Sequence, residues 1–170
     1  LLPFAASVHA DVVETTAYGF LVRQEATIDA PVDKVYRALA GEVGRWWNPE
    51  HTYSGDAANL SIDPRPGGCF CEKLPDGGGV EHLTVAYVAP SKVLRLRGAL
   101  GPLQGHGLAG SLTWRLAAAG GATRLELTYS VGGYMQGGFD KMAPAVSFVL
   151  GEQVGRLKSY VETGKPAPPK

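Results

Sequence analysis

Between residues 18 and 29 apolar and polar side chains alternate: Phe20, Val22, Ala26 and Ile28 fall on one face, Leu21, Arg23, Glu25 and Thr27 on the other. A period of two predicts a half-buried strand. The period then changes. After Asp29-Ala30-Pro31, the residues Val32, Val35, Tyr36 and Leu39 recur at helical spacing, and Pro31 suits a first helical turn. Gly41 and Gly44 interrupt this helix, and Val43, Trp46 and Trp47 predict a second short one, closed by Pro49.

A run of strands follows. Residues 59–63 form a short one, and Pro64-Arg65-Pro66-Gly67-Gly68 is a turn. Residues 69–73 and 80–88 are predicted to pair across the hairpin loop 75–79, and 92–98 is the next strand. Residues 98–110, with five glycines and a proline, read as a long loop. Leu112, Trp114 and Leu116 alternate in a strand over 111–117, and Leu125, Leu127, Tyr129 and Val131 in one over 123–131. The last element is helical: Val146, Val149, Leu150, Val154, Leu157 and Val161 recur at spacings of three, four and seven, and Pro144 suits the first turn. The helix is expected to begin between residues 138 and 145 and to end near 163. Strands in hairpin succession with helices on one side predict an α+β domain, its antiparallel sheet of about six to seven strands curved around the terminal helix.

A chain of 170 residues makes one domain, long enough to bury a core without a metal or disulfide staple. Lysine plus arginine equal aspartate plus glutamate at 16 each, which removes the basic face that a nucleic-acid binder needs. No segment approaches the apolar length of a membrane span. Leu1 to Ala10 is apolar, ends in small residues and meets the polar Asp11, as the end of a secretory signal peptide does. Residues 1–10 are therefore expected to be a signal-peptide remnant, 11–164 the domain, and 165–170 a frayed Pro-rich tail. On this reading the protein is periplasmic or secreted; otherwise it is cytoplasmic.

The words EATIDAPVDKVYRAL at 25–39, RWWNPE at 45–50, DPRPGGCF at 63–70 and YVAPSKVLRLRG at 87–98, with Gly133-Tyr134 before the last helix, resemble the START-like helix-grip superfamily, SRPBCC. Within it they are most similar to the Hsp90-ATPase-activator-like and polyketide-cyclase-like subgroup. The resemblance spans residues 18–163 and implies a helix-grip fold with a cavity between the sheet and the C-terminal helix, often holding a small apolar ligand. The scaffold serves carriers, receptors and cyclases alike, so the resemblance fixes no single function.

Candidate site residues follow from side-chain chemistry. Trp46 and Trp47 are neighbours on a short helix, so one is expected in the core and the other at a cavity mouth. Tyr53, Phe70, Tyr129, Tyr134, Met135 and Phe139 are candidate apolar walls, and Cys69, Cys71, His82 and Gln104 candidate polar handles. Cys69 and Cys71 lie two apart on a strand, about 6.6 Å at Cα with parallel Cβ vectors, so they are expected to be unbridged thiols facing the cavity. An even hairpin loop places Cys71 opposite His82 and Cys69 opposite Thr84. Such a cluster admits an activated thiolate, a soft metal or plain cavity lining; with no fourth ligand in sight, no metal and no cofactor are expected. His82, and His106 in its glycine-flanked loop, are candidate proton carriers; His51 is read as solvated. The favoured function is binding or carriage of a small hydrophobic molecule. The alternatives are a cyclase- or dehydratase-like enzyme and a protein-binding module.

Overall fold

The structure, a computed structural model, describes residues 8–169. Eight strands form one antiparallel sheet in the order β1-β2-β8-β7-β6-β5-β4-β3. They are β1 His9–Thr16, β2 Gly19–Ile28, β3 Leu60–Ile62, β4 Cys69–Lys73, β5 Gly79–Ala89, β6 Val93–Arg97, β7 Gly107–Ala119 and β8 Ala122–Tyr134. The helices are α1 Val32–Gly41, α2 Val43–Trp46 and α3 Met142–Thr163. Strands β3 to β8 are sequential neighbours, and β8 then returns beside β2, so the two helices after β2 lie on the long crossover of the sheet. This is the helix-grip arrangement.

The alternation in β2 and β8 is realised directly: Phe20, Val22, Ala26 and Ile28 share the buried face with Leu125, Leu127, Tyr129 and Val131. Helix α3 crosses that face with Leu150, Val154, Leu157 and Val161 inward, beginning within the expected interval and ending at Thr163. At its middle, α3 approaches β2 so closely that a Cβ on Gly151 would lie 2.9 Å from Gln24 Oε1. The same crossing buries Gln24, whose Nε2 donates to the Ser147 carbonyl (3.0 Å) and to its Oγ (3.1 Å).

The structure adds to or differs from the sequence reading at four places. Residues 9–16 are strand β1, with His9 opposite Glu25 and Ala10 opposite Gln24. They escaped notice because this edge strand is exposed along most of its length and so shows no alternation. Of the expected signal remnant, residues 1–7 lie outside the described part. The loop expected over 98–110 is shorter: β7 begins at Gly107, after a 3-10 turn over Gly101–Gly105. The C-terminal tail folds back on α3, where the Lys165 carbonyl accepts from Ser159 Oγ (2.9 Å) and the Ala167 carbonyl from Arg156.

The fourth change concerns the hairpin of β4 and β5. Cys69 pairs with Thr84 and Phe70 with Leu83, as an even loop requires, but Cys71 then pairs with Glu81. His82 is the extra residue of a β-bulge, so His82 and Leu83 are both buried although adjacent. The bulge turns His82 to the inner face, away from Cys71. Cys69 and Cys71 are on the outer face and are joined in a disulfide, not left as thiols. Their Cα atoms are 5.3 Å apart, closer than in an ideal strand and within the range a disulfide spans.

Tyr129 ties β8 to the edge of the cavity. Its hydroxyl donates to the Gly98 carbonyl (2.9 Å) and accepts from the Leu100 amide (2.8 Å). The ring has room because position 110 is glycine: a Cβ there would sit 2.7 Å from the Tyr129 ring. Burial, only partly offset by the Leu100 bond, pushes the hydroxyl pKa up to about 12. The unfolded chain ionises this group near pH 10 and the folded one does not, so its contribution to stability is complete below about pH 10 and lost as pH rises towards 12. Tyr129→Phe is expected to lower stability at pH 7 by about 1–3 kcal/mol and to flatten the alkaline loss. Urea denaturation at neutral and alkaline pH measures both effects.

Candidate functional site

Between the sheet and the first turns of α3 lies a cavity of about 360 Å³. Its walls come from the 3-10 turn Pro49–His51 with Thr52 and Tyr53, the inner faces of β4, β5 and β8, the 3-10 turn Gly101–Gly105, and Met142 to Val149 of α3. The lining is mostly apolar, with Trp47, Phe70, Leu103 and Val146 prominent. A larger concavity of about 1040 Å³, beside β2, β7 and β8, is an open groove along which Glu25, Lys92, Arg115 and Arg124 face solvent. It contains no buried polar group.

Two histidines line the smaller cavity, and each is held by a buried carboxylate. His82 Nε2 lies 2.9 Å from Glu72 Oε2, with both side chains nearly inaccessible to solvent. Glu72 also accepts from the backbone amides of Tyr53 (3.1 Å) and Ser54. Burial alone would raise the Glu72 carboxyl, but the hydrogen bonds from Ser54, Tyr53 and His82 outweigh it and hold its pKa below the usual value. An ionised carboxylate so placed accepts a hydrogen bond from Nε2–H of the ring. His82 Nδ1 is buried and has no hydrogen-bond partner in the protein. Tyr53 stacks on the His82 ring (5.9 Å between centroids, 29° between planes), and Phe70 lies 5.2 Å from it.

The second pair is His51 Nε2 with Glu152 Oε2 at 3.1 Å; here the histidine is about one third exposed and the carboxylate buried. The loop carrying His51 is clipped to α3 by buried polar groups. Gln153 Oε1 accepts from the Asn48 amide (2.9 Å), and Glu152 Oε1 from Asn48 Nδ2 (2.9 Å). Arg156 Nε donates to the Trp46 carbonyl (2.9 Å). Asn48 in turn caps the 3-10 turn, its Oδ1 accepting from the Glu50 amide.

The cavity gathers Trp47, Tyr53, Phe70, His82 and Tyr129 from the residues singled out in the sequence. It does not gather the others. Trp46 is in the core, its indole N–H donating to the Ala38 carbonyl, while the Trp47 N–H donates to the His51 carbonyl at the cavity edge. Cys69 and Cys71 lie on the opposite face of β4. Gln104 is exposed and donates to the Glu81 carbonyl, and His106 is exposed at the end of its 3-10 turn. Tyr134 is exposed, Met135 half-buried, and Phe139 packs against Phe20 (5.8 Å between centroids) beyond the cavity. Sequence reasoning passed over Glu72, which alternates with Phe70 away from the cysteines; a carboxylate on an apolar strand face was the available signal. It also passed over Glu152, because one acidic residue on a helix gives no such signal. Among the described residues no group of three or more His, Cys, Asp or Glu side chains is placed to hold a metal ion. No helix among them is long and apolar enough to cross a membrane.

The sequence pattern of the family described as polyketide cyclase / dehydrase and lipid transport matches residues 20–162, from β2 to the end of α3. The chain belongs to this family. Solved structures agree on the fold. The solution structure of CalU16 from Micromonospora echinospora superposes with a TM-score of 0.66 at 18% identity, covering 99% of this chain and 81% of that one. The Aha1 dimer from Colwellia psychrerythraea gives 0.60 at 21% identity, over 85% of this chain and 98% of that one. DynU16, from the dynemicin biosynthetic locus, gives 0.62 at 26% identity over 86% of this chain, which spans only 48% of DynU16. No functionally curated protein matches the chain by sequence.

Glu72→Ala is expected to destabilise the fold by about 2–4 kcal/mol, since it strands two backbone amides and a buried imidazole together. Because folding lowers the Glu72 pKa, the carboxylate's contribution is present above the ordinary carboxylate value and is lost as pH falls through the folded value. Urea denaturation between pH 7 and pH 3 should show a shallower acid loss in Glu72→Gln than in the parent protein.

Proposed function

We propose that this protein binds a small, largely apolar molecule between the sheet and α3, as a carrier or binding protein. The observation that carries this is the apolar-walled cavity of about 360 Å³, within the size range of small-molecule sites and edged by few polar groups. The family's description, which includes lipid transport, and the likeness to DynU16 from a biosynthetic locus support it. A second reading, a cyclase- or dehydratase-like enzyme, is favoured by one observation: both cavity histidines are backed by buried carboxylates, the arrangement that orients an imidazole for proton transfer. The disulfide between Cys69 and Cys71 supports export, because disulfides persist in oxidising compartments.

Purified protein is expected to release a stoichiometric apolar compound into organic solvent, or to bind 2-methoxynaphthalene with quenching of tryptophan fluorescence. Val149 lines the cavity from α3 and is half-buried. Val149→Trp should fill the space and weaken that binding about tenfold or more while leaving the circular dichroism spectrum unchanged. Binding that is unaffected by the filled cavity would place the ligand elsewhere and overturn the reading.

A further inference from the structure

The disulfide between Cys69 and Cys71 plays no part in the cavity. It joins residues two apart on the outer face of β4, and both cysteines are half-buried. The residues beside them on that face, Ser61, Glu81, Thr84 and Lys73, are polar. In the chain-entropy account a disulfide stabilises a fold by constraining the unfolded chain, and the gain grows with the length of the loop it closes. Closing the shortest of loops therefore adds little to folding. The strand gains little as well. Residues i and i+2 of an extended strand lie about 6.6 Å apart, at the far end of what a disulfide spans, and here the Cα atoms are drawn to 5.3 Å. Strand β4 is hydrogen-bonded to β3 on one side and β5 on the other, so this shortening acts on a strand held along both edges. The pairing with β5 changes register at the same step: Cys69 faces Thr84, and Cys71 faces Glu81.

Phe70, between the two cysteines, is buried against Trp47 (5.5 Å between centroids) and His82 (5.2 Å). With Phe70 anchored inward, both sulfurs stay on the outer face whether joined or not, so an opened pair remains adjacent and can close again. A bridge that contributes little to folding and faces a polar surface belongs with labile disulfides rather than structural ones.

We propose that Cys69 and Cys71 form a site of reversible thiol–disulfide exchange with an external dithiol. A thiolate of the dithiol attacks one sulfur of the bridge. A new S–S bond forms, the Cys69–Cys71 bond breaks, and the departing sulfur keeps the electron pair and takes up a proton. The second thiol of the dithiol loses its proton and attacks the mixed disulfide, releasing the other cysteine, which is protonated in turn. Two electrons and two protons pass to the protein, and the dithiol is oxidised to a disulfide. This activity lies on the face of β4 turned away from the cavity and does not depend on the binding reading.

The test incubates the folded protein in millimolar glutathione with the reduced form in excess, two molecules of this monothiol standing in for one dithiol. Free thiols are trapped with iodoacetamide and counted by mass spectrometry. Most chains are expected to open to a pair of thiols without unfolding, and to close again when oxidised glutathione is put in excess. The Cys69→Ser and Cys71→Ser variants each leave one thiol, and at least one of them should hold glutathione as a mixed disulfide. The urea midpoint of the opened protein, and of the variant lacking both cysteines, should match that of the closed protein. A bridge that survives glutathione in the folded protein and opens only after urea unfolds it would overturn the proposal. So would a urea midpoint that falls clearly on reduction, since the bridge would then be structural, or the lack of a mixed disulfide in both single variants.

Discussion

The arrangement of this molecule depends on one buried polar row. Glu152, Gln153 and Arg156 occupy a single stretch of α3 and are almost inaccessible to solvent. Burying such side chains is costly where their polar atoms go unpaired, because an unpaired atom loses its hydration with nothing in return. Their partners are the Trp46 carbonyl, the Asn48 backbone and amide groups, and the His51 ring. The row therefore acts as a template that accepts the Trp46-Trp47-Asn48 segment in one position. Burial lowers the Arg156 pKa from its ordinary value, and Glu152 and Glu50 act against that shift. Everything placed by this segment follows: Trp46 in the core, Trp47 at the cavity wall, and His51 and Tyr53 at its edge.

The opposite wall has a different origin. There the constraint is a single extra residue in β5. Without the bulge, strand alternation would send His82 to the outer face beside Cys71. With it, two adjacent side chains point inward, and His82 reaches Glu72 on the neighbouring strand. The two backbone amides that hold Glu72 belong to Tyr53 and Ser54, just beyond the segment clipped by α3. The carboxylate thus joins both halves of the cavity: each oxygen accepts from one loop amide, and Oε2 also meets the histidine ring.

This explains how much of the protein could be read from its residues. Long periodic segments were legible because the sheet and α3 each bury one continuous face, and a period of two or of 3.6 records that directly. The strand β1 was not legible, since an exposed edge strand has no face to mark. The bulge was not legible either, because it is a backbone event that leaves the composition of β5 unchanged, and it moved His82 from the thiol face to the cavity. Within the site, aromatic walls such as Trp47, Phe70 and Tyr129 were found from residue type. The carboxylates were missed because their role lies in contacts between residues far apart in sequence: Glu72 with His82 across a hairpin, and Glu152 with His51 across the length of the fold.

The alternation in β4 also separates two chemistries that the sequence had placed together. Phe70 and Glu72 lie on the buried inner face, Phe70 at the cavity wall, while Cys69 and Cys71 face outward and are closed in a disulfide. A thiolate sharing a face with an imidazole would have been a nucleophile, and the site would have invited covalent chemistry. Sulfur on the outer face removes that option and leaves the imidazole with a carboxylate as its partner. A carboxylate–imidazole pair does not attack carbon readily; it orients a lone pair and accommodates a proton. Hydrogen bonding and proton transfer are the polar chemistry that such a pair offers beside apolar walls.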